Sequence, residues 1–168
     1  MNSTLIYIQP FIVLWLMLAA YQDVRRRRVS NLLTLGGGAL AALWLALEHH
    51  SLTGHRVPAA LLAGALGLLL TLPGYLLGKL GAADVKLLPA LGLATGPQTL
   101  MNTFALACLV TVLLMLGSRS LLRNANISQP YARQLRSISV GRAKPFPFIF
   151  ALFVGYLLDL LLISKFLH

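Results

Sequence analysis

The stretch "VKLLPALGLATG", residues 85–96, is apolar enough to prefer lipid to water, yet it is only a dozen residues long and has Pro89 inside it. A helix that crosses the hydrocarbon core of a bilayer needs about 20 residues. Alone, the stretch is a partial span that its neighbours must shelter, because lipid offers no partner to an unpaired backbone group. Merged with the following run it becomes one passage over 85–117. Other apolar runs occupy 5–22, 32–47, 58–80, 100–117 and 146–164, so the first reading makes six spans and the second five. Charge separates the two. Six spans put 22–31, 79–86 and 118–145 on one side, where they hold twelve of the fourteen Lys and Arg residues and leave Arg56 and Lys165 opposite. Five spans carry the six charges of 118–145 across and break the positive-inside pattern. The sequence therefore predicts an all-α polytopic membrane protein with six transmembrane helices, the fourth short. Both termini are expected on the extracytoplasmic (periplasmic) side of the inner (plasma) membrane.

Composition agrees: 58% of residues are hydrophobic, 11% are charged and the mean hydropathy is +0.79, against about 25% charged in an average soluble chain. No stretch is long enough for a separate soluble core, so residues 1–168 read as one transmembrane domain. The first span has no basic segment before it, a block of arginines after it and no small-residue cleavage site, which predicts a retained anchor. Cys108, the single cysteine, excludes a disulfide framework and a cysteine metal site. The net charge of +10 is explained by topology and by anionic lipid, and no nucleic-acid partner is expected. The 118–145 segment has no acidic residue and is expected to lie as an amphipathic stretch on the membrane surface. Gly74 with Gly78, and "GGGA" at 36–39, are spaced for close helix packing.

Only four residues are acidic, and the predicted topology sorts them. Asp23 ends the first span and Asp84 precedes the fourth, both on the cytoplasmic side; Glu48 and Asp159 belong to the outer half. A carboxylate at the centre of a membrane helix costs about 2.5 to 3.5 kcal/mol, less near the interface. Two readings stand on spacing alone. Asp23 and Asp84 are two unrelated boundary charges, the first paired along its helix with Arg26 or Arg27 and the second neutralised by Lys86. Alternatively they converge, share a proton and titrate as a pair. A pair of that kind can hydrolyse an amide, the ionised member drawing a proton from water while the protonated member donates to the carbonyl.

At these residues the chain resembles the type IV prepilin peptidases and archaeal preflagellin peptidases, membrane aspartyl proteases that share a GxGD-type second site with the presenilin class. The family's first motif, Asp-x-Arg, three residues, an aliphatic residue, Pro and Asn, is similar to "DVRRRRVSN" at 23–31, with Ser30 in place of the proline. Its second, Gly-x-Gly-Asp-x-Lys, is similar to "GAADVK" at 81–86, with Ala83 in place of a glycine. A late Pro-Phe-x-Pro-Phe segment followed by a glycine is similar to "KPFPFIFALFVG" at 144–155. The resemblance implies that Asp23 and Asp84 are the catalytic dyad, with Gly81, Lys86, Arg25 and Asn31 as substrate-binding or supporting positions. It implies no metal and no cofactor. The substrate it implies is a small prepilin whose short basic leader ends at the cytoplasmic membrane surface ahead of a hydrophobic helix. About ten residues separate the first two spans, and the cysteine-rich region that larger relatives carry there is missing, so peptidase without methyltransferase activity is expected. This compact form resembles the peptidases of Flp (tight adherence) pili. Ala83 should adopt ordinary helical φ.

Other features carry less. His49, His50 and His55 with Glu48 describe an exposed polar loop as well as they describe a metal site, and no metal is assigned. Asp159 is expected to bond water or a neighbouring polar group in the bundle. Two competing functions remain on the sequence: a noncatalytic pilus-assembly membrane protein, and a small transporter using Asp84 and Asp159 as ion carriers.

Overall fold

Gly96 ends the short apolar stretch at φ +84°, a left-handed value that favours glycine, and Pro97 opens the next helix at once. Residues 85–117 are therefore two helices. In the computed structural model, which describes residues 3–26, 28–124 and 147–166, the helices are α1 (Ser3–Arg26), α2 (Gly37–Glu48), α3 (Val57–Leu76), α4 (Ala82–Thr95), α5 (Pro97–Asn124) and α6 (Phe148–Phe166). A π-helical turn, Leu32–Gly36, runs directly into α2. Among the described residues no strand forms, and one antiparallel bridge between His50 and Arg56 closes the α2–α3 turn. Each of the six apolar runs corresponds to a helix.

The short helix α4 lies at the centre, packed on α2, α3 and α5, while α6 packs on α1 and α5. Leu87, Leu88, Ala90, Leu91, Gly92 and Ala94 of α4 are all buried. Shelter by neighbours is thus how a helix of 14 residues is accommodated. The closest approach is between α3 and α4: a Cβ on Gly92 would stand 2.5 Å from the Ala63 carbonyl oxygen, and one on Gly67 2.8 Å from the Pro89 nitrogen. Of the glycines expected to mediate packing, Gly37 admits the Trp15 ring and Gly38 meets Ala90 of α4. Gly74 and Gly78 do not join helices. The helix α3 ends at Leu76, Gly78 takes φ +66° in the turn beyond it, and Gly74 accommodates the Leu80 side chain that folds back.

Outside this core, Leu14, Leu40, Leu43, Leu61, Leu69 and Leu113 are exposed on α1, α2, α3 and α5, an apolar exterior well beyond what water tolerates. Among the described residues, Val57–Leu76 and Pro97–Gly117 are long and apolar enough to cross a membrane, and Leu32–Glu48 and Phe148–Leu162 are shorter apolar helices. The segment expected on the membrane surface, 118–145, begins as the continuation of α5 to Asn124, and its remainder lies outside the described residues.

Candidate active site

One end of the bundle gathers the last turn of α1 and the first turns of α4 and α6. Asp23 sits in that last turn of α1, partly buried. The chain then doubles back: the Ser30 N–H donates to Gln22 Oε1 at 2.9 Å, and the Ser30 carbonyl accepts from the N–H groups of Leu33 and Thr34. A proline at 30 has no N–H to give, so the serine at this motif position has its own local bond. Asp23 Oδ2 accepts the Ile149 N–H at 3.0 Å across 126 positions of sequence. Ile149 belongs to the first turn of α6, where backbone N–H groups have no partner inside the helix and seek one outside it.

Asp84 is built differently. It occupies the first turn of α4, just ahead of the apolar stretch, and its Oδ2 accepts the Gly81 N–H at 2.8 Å while its own N–H donates to the Gly81 carbonyl at 3.1 Å. This reciprocal pair caps the helix and fixes the carboxyl. A Cβ at 81 would lie 3.3 Å from that oxygen, a tight fit that suits glycine. Asp84 is 6% exposed. Burial pushes its carboxyl from 3.8 up to about 7, the Gly81 N–H opposes the rise and the charge of Asp23 adds to it. The two aspartates are thus near enough for one to act on the other.

The supporting positions divide. Lys86 Nζ donates to Asn31 Oδ1 at 2.9 Å, tying the segment after Asp23 to the helix that carries Asp84. Lys86 therefore engages Asn31, and the neutralising partner imagined for Asp84 is engaged elsewhere. Arg25 lies at the same end, but its guanidinium donates to the Tyr21 hydroxyl one turn back and stacks 5.8 Å from that ring. Ala83 is helical, and His49 is the one non-glycine with positive φ among the described residues, so the methyl group at 83 meets no backbone strain.

A model of the type IV leader peptidase family matches residues 10–116. The chain belongs to that family. No curated protein and no solved structure matches it. Membership makes this protein a leader peptidase, a membrane-associated hydrolase of peptide bonds whose class of substrate is the prepilins. The matched region contains both aspartates and ends before α6.

Two contacts of this peptidase escaped the sequence. The Ile149 N–H on Asp23 is a backbone donor with no residue signature, and the only hint was the proline-rich entry to α6. Gln22 as the partner of Ser30 was equally silent. At the other end of the bundle Asp159 accepts from Asn102 Nδ2 at 3.0 Å, the neighbouring polar group that its buried position demanded. His50 and His55 bond within their own loop, to the Ser51 carbonyl and the Thr53 hydroxyl.

Proposed function

We propose that this leader peptidase is an intramembrane aspartyl endopeptidase that removes the short basic leader of Flp-like prepilins at the cytoplasmic face of the inner membrane. The observation that carries the reading is the Asp84 carboxyl, buried, held by the Gly81 N–H and under the charge of Asp23. A carboxyl that stays protonated near neutral pH beside an ionised one is what acid–base hydrolysis of an amide needs. Asp23 takes a proton from a water as the water oxygen bonds to the scissile carbonyl carbon, and Asp84 gives its proton to the carbonyl oxygen. The resulting diol collapses as its C–N bond breaks and Asp23 returns the proton to the departing nitrogen. Asp84 recovers its proton from the diol. No covalent enzyme intermediate forms and no cofactor enters.

The rest of the chain is read around that chemistry. Residues 1–168 form one transmembrane peptidase domain with six spans in lipid, both termini extracytoplasmic, and no methyltransferase domain. In this reading Gly81 and Lys86 with Asn31 support the dyad, and Arg25, bonded to Tyr21 in the last turn of α1, is a substrate-binding position. The compact 22–31 connection supports the Flp-like assignment.

The test is co-expression with an Flp-like prepilin, followed by mass spectrometry of the pilin. Wild type should yield a shortened pilin with an unmethylated new amino terminus. Asp23→Asn and Asp84→Asn should each leave the leader intact while accumulating normally in the membrane. Full processing by either variant removes that residue from the mechanism, and binding of the prepilin without processing by wild type identifies an assembly protein instead.

A further inference from the structure

The first turn of α6 lies outside the matched family region, and nothing so far gives it a part in the reaction. We infer that the Ile149 backbone N–H is a positioning group of the active site, holding Asp23 in the orientation and ionised state of the general base. The inference rests on the dyad reading above.

Three observations lead to it. The bond to Asp23 Oδ2 is a long-range contact by which α6 reaches the dyad, at an ordinary N–H···O distance of 3.0 Å. The donor itself cannot wander: Ile149 is 1% exposed, with Phe148, Ala151 and Leu152 buried around it and the Phe148 ring set edge-on to Phe104 of α5 at 6.0 Å. Finally, the donor lies in the first turn of α6, so the carboxylate it holds stands at the positive end of that helix's dipole. Asp84 has no comparable tie to another helix through its Oδ2, which is bonded to Gly81 of its own cap. The carboxyl that a separate, rigid helix end stabilises as an anion is Asp23; the carboxyl that burial keeps protonated is Asp84.

Charged and titratable groups also lie on the elements that meet at Asp23. On its own element Arg25 is engaged with Tyr21, and Arg26 and Arg28 are exposed. From α4 come Asp84, whose carboxyl feels the charge of Asp23, and Lys86, which donates to Asn31. On α6 the titratable groups Tyr156 and Asp159 lie about two turns or more beyond Ile149. Arg27, Arg142 and Lys144 fall outside the described residues.

Replacing residue 149 by the α-hydroxy analogue of isoleucine turns the amide into an ester, deleting the N–H while keeping the side chain. Cleavage is measured on a synthetic peptide with a basic leader ending in glycine ahead of an apolar helix. The ester should lower kcat by about tenfold to a hundredfold, the scale of a small misplacement of a catalytic group, with KM little changed. The acid limb of the kcat profile should move to higher pH, because Asp23 loses a donor that favours its anion. Gly117→Ala, where nothing stands within 4 Å, should leave both unchanged. Full kcat and an unmoved acid limb in the ester overturn the inference, whereas full activity in Asp23→Asn would overturn the dyad itself. Hydrogen exchange gives a reading that needs no ester. The Ile149 amide should be protected in wild type and exposed in Asp23→Ala, and equal exchange in the two is a second refutation.

Discussion

Asp84 places a stability cost where the chemistry is proposed. Its carboxyl ionises at 3.8 in the unfolded chain and at about 7 in the folded one, chiefly because burial disfavours the anion. Between those values the folded state holds a proton that the unfolded state has released. Below about pH 4 both states are protonated and the residue costs nothing extra; as pH climbs through 7 the folded protein must ionise a buried acid and stability is lost. At full strength the difference amounts to roughly 4 kcal/mol. Asp84→Asn removes the titration while its amide oxygen can still accept the Gly81 N–H. Thermal scans in detergent should therefore show the variant and wild type melting together at pH 4 and the variant melting higher at pH 8. A melting difference that does not change with pH would show that Asp84 is not ionised against a burial cost. Stability bought by abolishing activity is the expected signature of a site strained for function. At the same scale, the Lys86–Asn31 bond joins the two motif segments. A double-mutant cycle of Lys86→Ala and Asn31→Ala should give a coupling of about 0.5 to 1.5 kcal/mol in the transition-state energy for cleavage. Additive effects would show that the bond does not serve the site.

At the scale of elements, α4 carries both the site and the core, and its contact with α3 leaves no room for a side chain. Gly92→Ala would drive a methyl group to 2.5 Å from the Ala63 carbonyl oxygen, a backbone atom that cannot swing away. We expect a loss of about 1 to 3 kcal/mol, the usual range for overpacking, together with reduced cleavage because the displaced helix carries Asp84. Gly117→Ala, where nothing stands within 4 Å, should change neither the melting temperature nor cleavage. The short fourth helix was legible because its run is too short to span alone and because only six spans keep the basic segments on one side. The succession of Gly96 and Pro97 is the local chemistry that ends one helix and starts the next. The pairing at Gly74 and Gly78 was misread because a spacing of four marks one helix face only while the helix continues, and α3 stops at Leu76. What joins Asp23 to α6 was not legible at all. The donor is a main-chain amide, identical at every residue except proline, and no spacing rule spans 126 positions.

For the whole molecule, the placement of charge and the placement of the aspartates are one constraint. The segments 22–31, 79–86 and 118–145 hold twelve of the fourteen basic residues, and Asp23, Asp84 and Ile149 lie within them or just beyond. Positive charge retains such segments in the cytoplasm during insertion, so the proposed topology would deliver the proposed dyad to the face where a new prepilin presents its leader. Two cysteines test this. With Cys108→Ser as background, Thr53→Cys in the α2–α3 turn should react with a membrane-impermeant maleimide in intact cells. Lys79→Cys in the α3–α4 turn should react only after the membrane is opened. Labelling of Lys79→Cys from outside would put the dyad on the wrong side for a cytoplasmic leader and would remove the proposed substrate, whatever the two aspartates do in detergent.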